Sequence, residues 1–94
     1  MPLMVVRLQV ADYEVWKNVF NEVEAVRREY GWKKHEFFQD PVNPNTAVVV
    51  GHVDSLDQAK QYLADERVRA AVARSGVQGP PEACFLNEVE QKDY

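Results

Sequence analysis

Apolar side chains recur at every second position from Leu3 to Val10, with Met4, Val6, Leu8 and Val10 on one face and Val5, Arg7 and Gln9 on the other. That period predicts a first β-strand. After Asp12 the period changes: Val15, Trp16, Val19, Phe20, Val23 and Val26 follow at helical spacing. A long amphipathic helix is therefore expected from an Asp12 N-cap, with Glu14 in its first turn, to about Gly31. Lys33–Gln39 (KKHEFFQ) and Thr46–Val53 (TAVVVGHV) flank DPVNPN, in which Pro41 and Pro44 cannot donate ladder hydrogen bonds, and together they predict a hairpin. Ser55 with Gln58 three residues on resembles a capping box for a second helix carrying Leu56, Ala59 and Leu63. Asp65 caps a continuation of that helix bearing Val68, Ala71 and Val72, and Gly76 closes it. Gly79 then permits a sharp reversal, and Pro80-Pro81 forces extended backbone into a last strand, Glu82–Val89.

The order βαββαβ predicts an α+β fold, a ferredoxin-like four-stranded antiparallel sheet with both helices on one face. No part of the chain is left to cover the other face. Yet the strands carry apolar residues in both registers: Val5 beside Val6, Phe37 beside Phe38, Val48 and Val50 beside Val49, Leu86 beside Phe85. A bare apolar sheet face invites association, so a homodimer is expected.

Composition narrows the function classes. The 94 residues, 46% hydrophobic and 28% charged, suit one domain spanning residues 1–94. A net charge of −4 gives no general attraction to nucleic acid or anionic lipid, and neither is expected as a partner. A small basic-aromatic patch, Arg27, Arg28, Lys33 and Lys34 around Tyr30 and Trp32, stands against that trend. TAVVVGHV, however, lacks the aromatic residues with which RNA-recognition sheets stack on bases. The single cysteine, Cys84, cannot form an intrachain disulfide, and the opening segment meets Asp12 too early for a signal or membrane helix. A cytoplasmic protein is expected.

VADYEVWKNVF, the DPVNPN hairpin, the SLDQAK helix start and RSGVQGPPEACFLNEVE together resemble the dimeric α+β barrel superfamily, near the antibiotic biosynthesis monooxygenase-like and small cyclase-like proteins. The likeness extends over nearly the whole chain. It implies two ferredoxin-like sheets packed face to face in a homodimer. It also implies an activity among cofactor-free oxygenation, haem degradation and isomerisation, or none, since fold alone does not choose a reaction. The haem-degrading branch typically has an asparagine on the first strand and a histidine on a helix. Here the first strand offers Gln9 and the second helix has no histidine.

Among the residues themselves, His35 and His52 form the leading catalytic pair. If PVNPNT closes the hairpin, Asp40 opposes Ala47 and His35 faces His52, on the same side as Phe37, Val48 and Val50. A one-residue slip would separate the two histidines. His52, on a central strand among valines, is expected to lie in an apolar cavity as the proton acceptor, with His35 as its neighbour. Arg7 and Gln9 are candidates to orient a substrate carbonyl or enolate oxygen, and Trp16, Phe20, Phe37 and Tyr62 to line an aromatic pocket. The bland alternatives are rim histidines, a polar pair satisfied within the protein, and plain core aromatics. Two imidazoles without a third ligand make no metal site, and no phosphate loop or haem-ligand pattern occurs, so no cofactor is expected. The chain thus reads as a cofactor-independent small monooxygenase or cyclase/isomerase acting on an aromatic or polyketide-like molecule. The alternative is a non-catalytic ligand-binding or structural homodimer.

Overall fold

A computed structural model describes every residue from Met1 to Tyr94. Its elements are β1 (Pro2–Gln9), α1 (Tyr13–Glu22), α2 (Glu24–Glu29), β2 (Trp32–Gln39), β3 (Thr46–Val53), α3 (Leu56–Ala64), α4 (Glu66–Arg74) and β4 (Glu82–Asn87). The sheet is antiparallel throughout, in the order β2-β3-β1-β4, which is the ferredoxin-like α+β arrangement expected. No helix is long and apolar enough to cross a membrane.

The predicted caps form. The Val15 N–H donates to the Asp12 carboxylate at 3.2 Å, and Ser55 and Gln58 bond each other through both backbone and side chain at 3.1 Å. Each predicted helix is nevertheless two. The first breaks at Val23, whose N–H bonds back to Phe20, and the second at Asp65, which sits in extended backbone. Asp65 holds that bend: its carboxylate accepts from the Arg67 N–H (2.8 Å), the Arg67 guanidinium (2.9 Å) and the Tyr30 hydroxyl (2.8 Å). Arg67, and then Tyr30, keep this carboxyl well below the usual range. Gly76, at φ +82°, ends α4 in the left-handed conformation that favours glycine. The last strand stops at Asn87, short of Val89.

The core lies between the helices and one sheet face, where Met4, Leu8, Val49 and Val53 meet Trp16, Val26, Ala59, Tyr62 and Val68. Trp32 is its wedge. A Cβ built on Gly51 would lie 2.6–2.7 Å from the Trp32 ring, so only glycine leaves room for the indole. Gly51→Ala is expected to cost about 1–3 kcal/mol by overpacking. Urea unfolding measures this, and an unchanged midpoint would show that the ring moves aside freely.

The hairpin register differs from the predicted one. Asp40 opposes Thr46, not Ala47: the Asp40 N–H bonds the Thr46 carbonyl at 3.0 Å, and its carboxylate accepts from the Val42 and Asn43 N–H groups at 2.8 and 2.9 Å. This Asx-type turn closes the loop over Pro41–Asn45 and leaves Thr46 in the strand, where its hydroxyl donates to Gln9 Oε1 at 2.8 Å. His35 therefore opposes Gly51, while His52 opposes Lys34. One residue of slip puts the two histidines on opposite faces of the sheet.

Candidate functional site

Three groups of side chains are candidates for chemistry, two of them on the helix side of the sheet and the third on its open face. On the helix side, an apolar cavity of about 90 Å³ lies between the sheet and the helices. Met4, Val6 and Leu8 form its floor, Trp16, Phe20 and Tyr62 its aromatic wall, and Val72 and Pro81 part of its rim. Trp16 packs on Phe20 with ring centroids 5.6 Å apart, and Trp32 on Tyr62 at 5.0 Å. Helical spacing in α1 and α3 therefore brings Trp16, Phe20 and Tyr62 around one space. Phe37 stands behind them, edge-on to Phe20 at 5.0 Å and to Trp16 at 5.3 Å. It shares the helix side with His35, not the open side with Val48 and Val50 as the predicted register required.

Beside the cavity, across Trp32, a second and polar pocket of about 140 Å³ opens between α2 and β2. His35 lies here, half-buried, its ring 4.5 Å from Phe37 and 5.2 Å from Phe20. Burial first, and then the charge of Arg27, lower its pKa. The neutral imidazole is favoured at pH 7, the form that accepts a proton. Arg27 is itself buried, 2% exposed, with its guanidinium 3.6 Å from the centre of the Phe20 ring. Its Nη1 donates to the Phe20 carbonyl at 2.7 Å and to the Tyr62 hydroxyl at 3.4 Å. Burial pushes the Tyr62 phenol up against the pull of Arg27, so it stays protonated.

The third group occupies the open face. His52 is not in the cavity: it faces away from the helices, with Nε2 2.7 Å from Glu36 Oε1. The same bond holds the Glu36 carboxyl below its usual range. Arg7 and Gln9 also project from this side, Arg7 toward Glu82 at 3.9 Å and Gln9 bonded to Thr46. Arg7, Gln9 and His52 thus stand on the face opposite the helices, as their strand positions implied, whereas His35 and Phe37, expected beside them, lie on the helix side. Arg27 and Trp32, read from the sequence only as part of a surface basic-aromatic patch, are both buried here. Arg27 extends the spacing Trp16, Phe20, Val23 along the same helical stripe, and a charge on that stripe was the available signal. No cluster of three or more histidine, cysteine, aspartate or glutamate side chains is arranged to hold a metal ion.

No protein-family model matches the sequence, and no curated protein matches it in sequence. The fold, in contrast, is that of the antibiotic biosynthesis monooxygenase-like proteins, over nearly the whole chain. The chain superposes on SnoaB, a cofactor-independent oxygenase from Streptomyces nogalater, with a TM-score of 0.78, 16% identity and coverage of 96% of this chain and 94% of that one. A protein from Caulobacter crescentus bearing the antibiotic biosynthesis monooxygenase name aligns with a TM-score of 0.75 and 21% identity, over 95% of this chain and 90% of that one. A counterpart from Bordetella bronchiseptica gives 0.79 and 8%, over 95% and 97%. At these identities the likeness is one of fold.

Proposed function

We propose that the protein is a cofactor-independent oxygenase or ring-closing isomerase acting on a small hydroxylated aromatic molecule. The observation that carries this reading is the aromatic-walled cavity with a neutral, half-buried imidazole beside it. The shared fold with SnoaB supports it. In the oxygenase form, a phenol or anthrone bound among Trp16, Phe20 and Tyr62 loses its acidic proton to His35, and the resulting anion is electron-rich enough to pass an electron to O₂. The radical pair combines to a hydroperoxide, and loss of water leaves a quinone carbonyl. The electrons come from the substrate itself. In this reading the Tyr62 hydroxyl, which accepts from Arg27, donates a hydrogen bond to the developing oxyanion.

A second reading, a ligand-binding homodimer without catalysis, is favoured by the cavity's size. Its 90 Å³ lies below the range of about 300–1,000 Å³ typical of small-molecule pockets, so a ring enters only as rim side chains such as Val72 or Leu63 yield. Screening hydroxylated aromatics for oxygen uptake separates the two. Catalytic uptake with conversion to a quinone is expected; binding without uptake across anthrones, naphthols and catechols would establish the second reading.

Under either reading we propose that the open sheet face meets a second copy of the chain. Val5, Phe38, Val48, Val50 and Leu86 lie on that face, and Phe38 and Leu86 remain 51% and 47% exposed in the single chain. Phe38 takes the place expected of Phe37, as the corrected register requires.

A further inference from the structure

The basic-aromatic patch has so far no role, and it holds the most anomalous group in the molecule. Arg27 is almost wholly buried and has no carboxylate partner. Its Nη2 has no protein acceptor, and neither does the buried indole Nε1 of Trp32. The guanidinium lies 5.8 Å from the Trp32 ring, and both residues line the pocket between α2 and β2. Leaving a buried donor unmatched is costly, and leaving an uncompensated charge there is more so. The neighbouring cations are already committed, Arg28 to Glu24 at 3.2 Å and Lys33 to Asp54 at 3.4 Å. Their side chains are 75% and 59% exposed and form a movable rim above the fixed arginine.

We propose that this pocket is a binding site for the carboxylate of a small organic acid, held by Arg27 Nη2 and Trp32 Nε1. Both donors are closed to solvent in the single chain, so a carboxylate reaches them as the Arg28 and Lys33 side chains move aside. Glu24, on the same rim, is tied to Arg28, and the guanidinium without an ion-pair partner then takes the single negative charge. A dianion would lack its second counter-charge in the interior. Lys34 at the rim adds attraction from solvent, in a protein whose net charge otherwise repels anions. His35 lines the same pocket, so a bound anion would offset the field of Arg27 and raise the His35 pKa. By linkage, binding tightens as pH falls through the His35 titration. The site stands independently of the aromatic-substrate reading, because it makes no use of turnover.

The test is a titration of the wild-type protein with benzoate, followed through the indole N–H resonances. A saturable shift of Trp32, with Kd on the order of 1 mM, is expected, with a smaller response at Trp16 and a rise in the His35 pKa. Inorganic phosphate and chloride at matched ionic strength should give weaker, non-saturating shifts; equal responses would overturn the carboxylate assignment. Arg27→Gln should weaken binding about 10- to 100-fold, the worth of one charged hydrogen bond. Unaltered affinity in that variant would overturn the site. Should Arg27→Gln fail to fold, nuclear Overhauser contacts from benzoate to the His35 and Trp32 rings of the wild type decide the matter. Their absence at saturation, or the absence of any saturable shift, refutes the proposal.

Discussion

Val50→Asp is expected to convert a dimer of 10.8 kDa chains into a folded monomer in sedimentation equilibrium. Val50 lies near the middle of the open face, opposite Val5 on one neighbouring strand and Glu36 on the other. In the single chain it is only half-buried, so an aspartate there keeps contact with water and the fold survives. Against a second copy the same carboxylate would be buried without a partner, and closing two-fold symmetry would duplicate it. A penalty of several kcal/mol weakens association by about 10³-fold or more. Val49→Asp serves as the contrast, since Val49 is 2% exposed beneath the helices and its replacement should abolish folding rather than association. A wild-type protein that stays monomeric at tens of micromolar would remove both the interface and the barrel built on it.

Once a substrate has been found, His35→Ala should lower turnover by about 10²- to 10⁴-fold, the usual worth of a positioned base. His52→Ala should leave turnover nearly unchanged, because the sheet lies between His52 and the cavity. The pH profile gives an independent check. A base works when neutral, and the His35 pKa lies below its ordinary value of about 6.5, so the acidic limb of the profile should fall below that pH with a plateau at neutrality. Stability shifts in the same direction. The folded state binds fewer protons than the unfolded one as His35 titrates, so His35's contribution to stability is present above the unfolded pKa and fades as pH falls through the folded one. The reverse result, loss of turnover only in His52→Ala, would place the chemistry on the open face.

These two residues also mark where sequence reading succeeded and where it stopped. Strand alternation in MPLMVVRLQV and the caps at Asp12 and Ser55 depend on neighbours within a few positions, and all of them appear as read. The cap at Asp65 was legible, though not the tyrosine hydroxyl from another element that helps to hold it, and the break at Val23 had no sequence signal. The register of the hairpin depended on how Asp40 spends its carboxylate and on Thr46 finding Gln9, two hydrogen bonds with no signature in the hydrophobic pattern. Because side chains in a strand alternate, that small error put His35 and Phe37 on the wrong side together and with them the supposed pairing of the histidines, while His52 stayed on the face shared with Val48 and Val50. The aromatic wall was robust for the opposite reason: Trp16, Phe20 and Tyr62 sit on helices, where a shift of one position turns a side chain by a fraction of a circle rather than across a sheet.

The placement of β1 between β3 and β4 has a consequence for how the chain is made. β1 finds β3 once Val53 has been synthesised, but its other edge, Pro2 to Arg7, waits for Glu82–Asn87. During vectorial synthesis this central strand therefore carries a row of unpaired N–H and C=O groups while the helices are already in reach. The pairing that closes this edge is the most distant in the sheet and so the slowest to form by loop closure. A nascent chain stalled before Glu82 is then a three-stranded sheet with an adhesive margin, suited to chaperone capture or to pairing with the same margin on a neighbouring nascent chain.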